Sequence, residues 1–265
     1  MIVEPSGMDV FTHLAWEEYL MEEVSGPVLM LWQSACAVVL GKNQNPWREC
    51  RLALMEEERV PLARRSSGGG TVYHDKGNLN YCIVTDREAY REAQAFEMVL
   101  DALSRVGANA FLACKSNIRT SGGKVSGTAF AFRKGRVLHH GTLLLESDLD
   151  RLERYLGSDC TAIKTHAVAS VPAKVANLGV SVENMKEALK ASFQDHYDGI
   201  NRDVIQPDAT LFSERLNKLR SDAWIWGATP RFSIEVDGQS VSVNRTNPAI
   251  LNTLRPHLHN IEKIF

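Results

Sequence analysis

Three consecutive glycines, Gly68, Gly69 and Gly70, stand between an apolar run (Val60, Leu62, Ala63) and an alternating pair (Val72, Tyr73). Such a run has no side chain to pack and readily takes up φ > 0, so it belongs in a loop rather than inside a helix or strand. The flanking patterns make it a loop that joins two strands. Bare backbone also lets a ligand lie against main-chain N–H groups. Arg64 and Arg65 precede the glycines with planar donor forks suited to phosphate or carboxylate, and Ser66, Ser67, His74, Asp75, Gly77 and Asn78 flank them. A plain turn needs none of these neighbours. The segment reads as an anion cradle.

The rest of the chain fits an α+β fold with a mixed β-sheet and flanking helices. Asp9 caps a helix over 10–24 whose apolar face carries Val10, Leu14, Met21 and Val24. Buried strands are expected at 27–32 and 35–40, a helix at 49–59, and strands at 60–65 and 79–85. A helix over 90–106 sets Phe96, Val99, Leu100, Leu103 and Val106 in one stripe, and Gly107 stops it. Strands follow near 109–113, 124–132 and 136–145, the last two joined at Lys134-Gly135. Helices are expected at 148–156, 182–197 and 208–220. Hairpins mixed with helices favour α+β over a doubly wound sheet. The expected division is a catalytic domain over 1–227 and a short C-terminal appendage over 228–265. That appendage holds a hairpin built on Asp237-Gly238 and a final helix starting at Pro248, too little for a substantial core of its own.

Bulk properties exclude several classes. A net charge of −2 gives no electrostatic footprint for nucleic acid. No apolar run is long enough to span a membrane, and the first residues carry acids rather than the basic start of a signal peptide. Five unpatterned cysteines suggest reduced thiols and a cytoplasmic setting. Cys36 and Cys82 lie in apolar runs as core filler.

The glycine segment from Arg64 to Asn78 resembles the signature of the lipoate–protein ligase A family, within the biotin/lipoate ligase superfamily. Upstream, Gly41, Gln44, Asn45 and Pro46 resemble another segment of that family. Downstream, Gly123-Lys124-Val125-Ser126-Gly127-Thr128 resembles its lysine loop, and His139-His140-Gly141-Thr142 the strand after it. A weaker match runs from Ser170 to Leu178. The likeness spans about residues 8–230. The glycine loop of biotin ligases follows another pattern.

The resemblance implies ATP-dependent attachment of lipoate to a lysine of a lipoyl-domain acceptor, through a lipoyl-adenylate, with Mg²⁺ accompanying the phosphates. Arg65, Gly70, Thr71, Val72, Tyr73, Asn78 and Asn117 take the nucleotide-binding positions. Gly69, His74, His140 and Gly141 take the lipoate side. Lys124 is the catalytic ammonium between carboxylate and phosphate. An apolar tunnel for the acyl chain is also implied, near Trp16, Trp32 and Val39.

Three features depart from the family pattern. Ile118 follows Asn117 where an aspartate suited to a metal is common. Pro172 follows Ser170-Val171 where a basic residue is usual, and the tail is shorter than a full accessory domain. All three bear on adenylation and raise a separate accessory subunit as a possible partner. Two other functions remain open. One is a cysteine-dependent octanoyl or lipoyl transferase using Cys114 or Cys160, although a buried structural thiol is the plainer reading of either. The other is a non-catalytic protein that binds lipoyl-adenylate.

Overall fold

The computed structural model describes residues 1–114, 116–158, 163–197, 205–236 and 239–243. In chain order the elements begin β1 (Ile2–Val3), α1 (Val10–Glu23), β2 (Val28–Trp32), β3 (Ala37–Leu40), α2 (Pro46–Glu49), α3 (Leu52–Glu57), β4 (Leu62–Arg64) and β5 (Val72–His74). Then come β6 (Asn78–Asp86), α4 (Glu92–Arg105), β7 (Phe111–Ala113), β8 (Asn117–Thr120), β9 (Gly123–Arg133), β10 (Arg136–Leu144) and α5 (Leu149–Tyr155). The last are β11 (Lys164–Thr165), α6 (Val182–His196), α7 (Ala209–Arg220), α8 (Asp222–Ile225), β12 (Phe232–Val236) and β13 (Gln239–Val243). The chain is α+β. It divides into two compact units, each built from three separate segments.

The first unit takes Met1–Ala35, His74–Leu149 and Pro172–Arg215. Its sheet has seven strands in the order β1-β2-β6-β10-β9-β8-β7. β1 and β2 run parallel and the other pairs antiparallel, so the sheet is mixed. Strand alternation sorts its side chains onto two faces. Leu79, Tyr81 and Ile83 join Phe96, Val99 and Leu103 of α4 and Met185, Leu189 and Phe193 of α6 in one core. The row Met30, Cys82 and His140 alternates to the opposite face, where His140 meets Glu17 of α1. Adjacent histidines therefore have different surroundings. His139 packs 4.9 Å from the Phe96 ring, on the α4 side.

The second unit takes Cys36–Tyr73, Asp150–Val171 and Leu216–Phe265. It holds two three-stranded sheets, β4-β3-β5 and β11-β12-β13. Val38, Leu40, Cys50, Met55, Val60, Tyr73 and Tyr155 form a small core.

Much of the local pattern is as expected. Asp9 Oδ2 accepts the Thr12 N–H at 2.9 Å and starts α1. Gly107, at φ +78°, follows α4. Lys134 and Gly135, at φ 48° and 74°, turn β9 into β10, both left-handed as a two-residue hairpin requires. The helix expected over 49–59 is instead two helices broken at Cys50-Arg51. Asn45 and Pro46 start the first of them early, and Cys50 is buried and extended, bridging Leu156. The short polar strand β8 has no apolar alternation and is not foreseen. β12 and β13 pair as a hairpin, and β12 also pairs with Lys164–Thr165. The Asp237-Gly238 turn, the helix at Pro248 and Cys160 lie outside the described residues. Cys82 is fully buried and Cys36 half-buried.

Candidate active site

In the second unit the glycine loop is held by main-chain and side-chain bonds to distant segments. Arg65 N–H donates to Leu40 O at 3.0 Å and Lys42 N–H to Ser67 O at 2.8 Å, which zips the turn at 41–44 to the loop. Gly41 has to be glycine here, because a Cβ would stand 2.2 Å from the Gly69 oxygen. Gln44 Oε1 accepts from the Gly41 N–H at 2.9 Å and from Thr71 Oγ1 at 2.7 Å, while its amide donates to Ser170 Oγ at 3.0 Å. Ser170 Oγ also accepts the Thr71 N–H at 2.9 Å, and the Ser170 N–H reaches the Glu49 carboxylate at 3.1 Å.

Both arginines hold this scaffold. Arg64 is fully buried. It donates to the carbonyls of Gly41, Lys42, Gln44 and Ile225 at 2.8–3.2 Å and to Thr229 Oγ1 at 3.0 Å. Arg65 donates to Ser67 Oγ at 2.9 Å and to the carbonyls of Val39, Gly68 and Gly70 at 3.2, 2.5 and 2.7 Å. Pinning those two glycine carbonyls has a geometric consequence. In a planar trans peptide the following N–H points the opposite way, so the N–H groups of Gly69 and Thr71 face away from the guanidinium. That of Thr71 is used by Ser170. The Tyr73 ring packs in the unit's core 5.7 Å from Tyr155.

The first unit holds Lys124, near the start of β9. Its N–H donates to Lys174 O at 2.9 Å and its carbonyl accepts from the Ala176 N–H at 3.0 Å, which locks the backbone at this point. Gly123 fits because a Cβ would come 2.9 Å from Lys174 O. The ammonium lies against bare backbone at Gly127, where a Cβ would stand 2.9 Å from Nζ. Lys124 is half-buried, and no ion pair forms on it among the described residues. Burial first, then the charge of Arg119, hold its pKa below the usual lysine value. Asn117 pairs across from Gly127. Ile118 is fully buried in the core with Val125 and Leu143. Among the described residues no group of three His, Cys, Asp or Glu side chains is placed to hold a metal.

A buried polar chain lies beside the His140 strand. His140 Nδ1 is 2.8 Å from Glu17 Oε2, and Trp32 Nε1 donates to Glu17 Oε1 at 3.2 Å. The Trp32 ring sits 5.0 Å from His13 and 5.3 Å from His74. His74 Nδ1 is 3.4 Å from the Asn80 amide, and Asn78 donates to Asn80 Oδ1 at 3.1 Å. Asn78 is fully buried, and its Oδ1 has no partner among the described residues. The Tyr81 ring lies over Gly141, with the hydroxyl 2.5 Å from where a Cβ would be. Trp16 packs on Tyr19 and Phe212 at 6.1 and 5.4 Å.

The expected site residues thus fall in two sets. His74, Asn78, Asn117, Lys124, His140 and Gly141 belong to the first unit; Arg65, Gly69, Gly70, Thr71, Val72 and Tyr73 belong to the second. Sequence reasoning missed Glu17 and the charge of Arg119 across from Lys124. Glu17 had a readable signal, since it sits within the apolar stripe between Leu14 and Met21. Ser170 stood only in the weaker match, and its bonds to Thr71 and Gln44, 99 and 126 residues away in the chain, left no mark in the sequence.

The model of the lipoyl protein ligase A/B catalytic domain matches residues 9–194. The chain belongs to that family. Solved lipoate ligases share its fold over most of their length. P. falciparum LipL1, in complex with lipoate, is 25% identical with a TM-score of 0.73, covering 93% of this chain and 81% of that one. The bi-partite lipoate protein ligase of Thermoplasma acidophilum, from a study with its E2 lipoyl domain, is 25% identical with a TM-score of 0.71, covering 84% and 94%. A lipoate-protein ligase A bound with ATP is 26% identical with a TM-score of 0.71, covering 84% and 96%. The lysine and glycine loops of this ligase-family chain both lie inside the matched region.

Proposed function

We propose that this chain joins lipoate to a lysine of a lipoyl-domain acceptor by way of lipoyl-adenylate. The observation that carries the reading is Lys124, a half-buried ammonium set against Gly127 with no ion-pair partner among the described residues, in a family whose solved relatives include complexes with lipoate and with ATP. A cation kept from carboxylates in a partly dry place is suited to an anion that arrives with the substrate.

In the first step a lipoate carboxylate oxygen attacks the α-phosphorus of ATP. A new P–O bond forms and the bond to pyrophosphate breaks. Lys124 follows the negative charge as it moves from carboxylate to bridging oxygen. In the second step a neutral acceptor amine attacks the activated carbonyl, AMP leaves with the electrons of the C–O bond, and the amine proton passes to solvent. Main-chain N–H groups of Gly69 and Gly70 offer donors to phosphate oxygens, with Arg65 shaping that loop; the Thr71 N–H goes to Ser170 Oγ. Asn78 and Asn117 contact the nucleotide; His74, His140 and Gly141 bound the lipoate. We assign this chemistry to residues 1–227, with 228–265 as an appendage, in a cytoplasmic setting.

The departure at Ile118 bears on the first step, so adenylation is the slower half; the bi-partite relative supports an accessory subunit as a partner for it. The experiment separates the two halves. ATP–pyrophosphate exchange and transfer from preformed lipoyl-adenylate to a lipoyl domain are measured on the native chain and on Lys124→Ala. ATP–pyrophosphate exchange that survives at the native rate in Lys124→Ala would overturn the reading.

The cysteine-dependent alternative gains one point. Cys114 is exposed, at φ 57°, rather than the buried thiol expected from the sequence. Transfer that survives Cys114→Ala and Cys160→Ala removes that alternative.

A further inference from the structure

β8 pairs antiparallel with β9, and the register slips by one residue between Ile118 and Arg119. Ile118 faces Ser126 whereas Arg119 faces Lys124, leaving Val125 as the extra residue of a β-bulge. A regular ladder would set Arg119 across from Val125 and Thr120 across from Lys124. The bulge therefore brings an arginine into register with the one lysine that the sequence singles out.

That placement costs free energy in isolation. Like charges directly opposite on paired strands repel. Both residues are half-buried, so water screens them only in part. No carboxylate pairs with either among the described residues. Arg119 is also the charge that, after burial, depresses the Lys124 pKa. An anion between the two reverses the sign: its oxygens accept from both cations and remove the repulsion. The donors complement each other. A guanidinium fork holds two oxygens in fixed geometry, while an ammonium on a flexible stem follows moving charge.

We infer that Arg119 is a second cationic ligand for the phosphoryl oxygens of the nucleotide, brought beside Lys124 by the bulge at Val125. It is a binding residue for phosphate, leaving Lys124 free to track the carboxylate oxygen. The inference rests on the proposed reading of Lys124 as the group that meets the acyl-phosphate.

The test is calorimetric titration of AMP and of adenosine into the full chain, with Arg119→Gln, Arg119→Lys and Lys124→Gln beside it. Arg119→Gln weakens AMP by about 10- to 100-fold, the range of a lost charge-assisted hydrogen bond, and leaves adenosine unchanged. Arg119→Lys recovers part of the loss, and the salt dependence of AMP binding falls in Arg119→Gln. AMP affinity within twofold of native in Arg119→Gln overturns the inference. So does an equal loss for adenosine, which marks a merely structural role. If Lys124→Gln weakens AMP and Arg119→Gln does not, only this inference falls. If the native chain binds AMP no better than adenosine, the proposed role of Lys124 falls with it.

Discussion

The imidazole of His140 and the carboxylate of Glu17 meet at 2.8 Å, both buried, between β10 and the helix that packs over it. The other carboxylate oxygen takes the Trp32 indole N–H. One acid thus orients both a histidine and a tryptophan. Glu17→Ala strands these two donors, and each buried orphan costs about 1–3 kcal/mol. Glu17→Gln keeps an acceptor for one of them and loses less. Urea unfolding of the two variants gives the order, and equal stability of Glu17→Ala and the native chain would sink this account.

Gly41 and Gly127 respond differently to the same added methyl group. At Gly41 the Cβ meets the Gly69 carbonyl at 2.2 Å, and backbone on both sides has little room to yield. Gly41→Ala loses on the order of 2–4 kcal/mol, as an overpacked site does. At Gly127 the first atom met is the Lys124 ammonium, the end of a flexible side chain. Gly127→Ala keeps its Tm within a few degrees while lipoyl transfer falls at least tenfold. Thermal melts and transfer rates distinguish the two.

Arg64 is a buried guanidinium that donates to several protein oxygens of its own unit. Lysine cannot reproduce that planar fork. Arg64→Lys therefore loses about 2–3 kcal/mol by leaving carbonyls unpaired, and Arg64→Met loses at least as much. Chemical denaturation checks both, and a lysine variant as stable as native would refute the role.

Acid should weaken the fold through two histidines. Burial lowers the pKa of His13 to about 4 and of His139 to about 3. Unfolded, each titrates near 6.5. Between these values the unfolded chain binds more protons, so stability is fully present above about pH 6.5 and declines as the pH falls toward 4. Each group contributes a slope of up to about 1.4 kcal/mol per pH unit in that window. His139→Leu, on the face shared with Phe96, flattens the dependence of Tm on pH between 6.5 and 4. An unchanged slope would show that His139 titrates normally in the folded state.

Local features were legible because their causes are local. Asp9 caps its own helix, Gly107 ends another, and Lys134-Gly135 turns a hairpin. The Gly-Gly-Gly loop announced a backbone made to be approached. The break at Cys50 was hidden because Cys50 is extended by packing in its unit's core, against helix-forming neighbours on either side. β8 was hidden because only Ile118 of its four residues packs in the core, which leaves no apolar alternation to read.

The roles of the arginines separate the two levels of information most clearly. The order of residues alone determined that positive charge, bare glycine backbone and a lysine loop occur in one chain, because composition and spacing are properties of the string. It also determined the helices and strands whose apolar periods repeat. Only the tertiary structure decided that Arg64 and Arg65 turn inward onto carbonyls, that Glu17 serves His140, and that a one-residue slip sets Arg119 across from Lys124. Those outcomes depend on which strands pair and in which register, and a shift of a single residue changes which side chains meet without altering any local pattern.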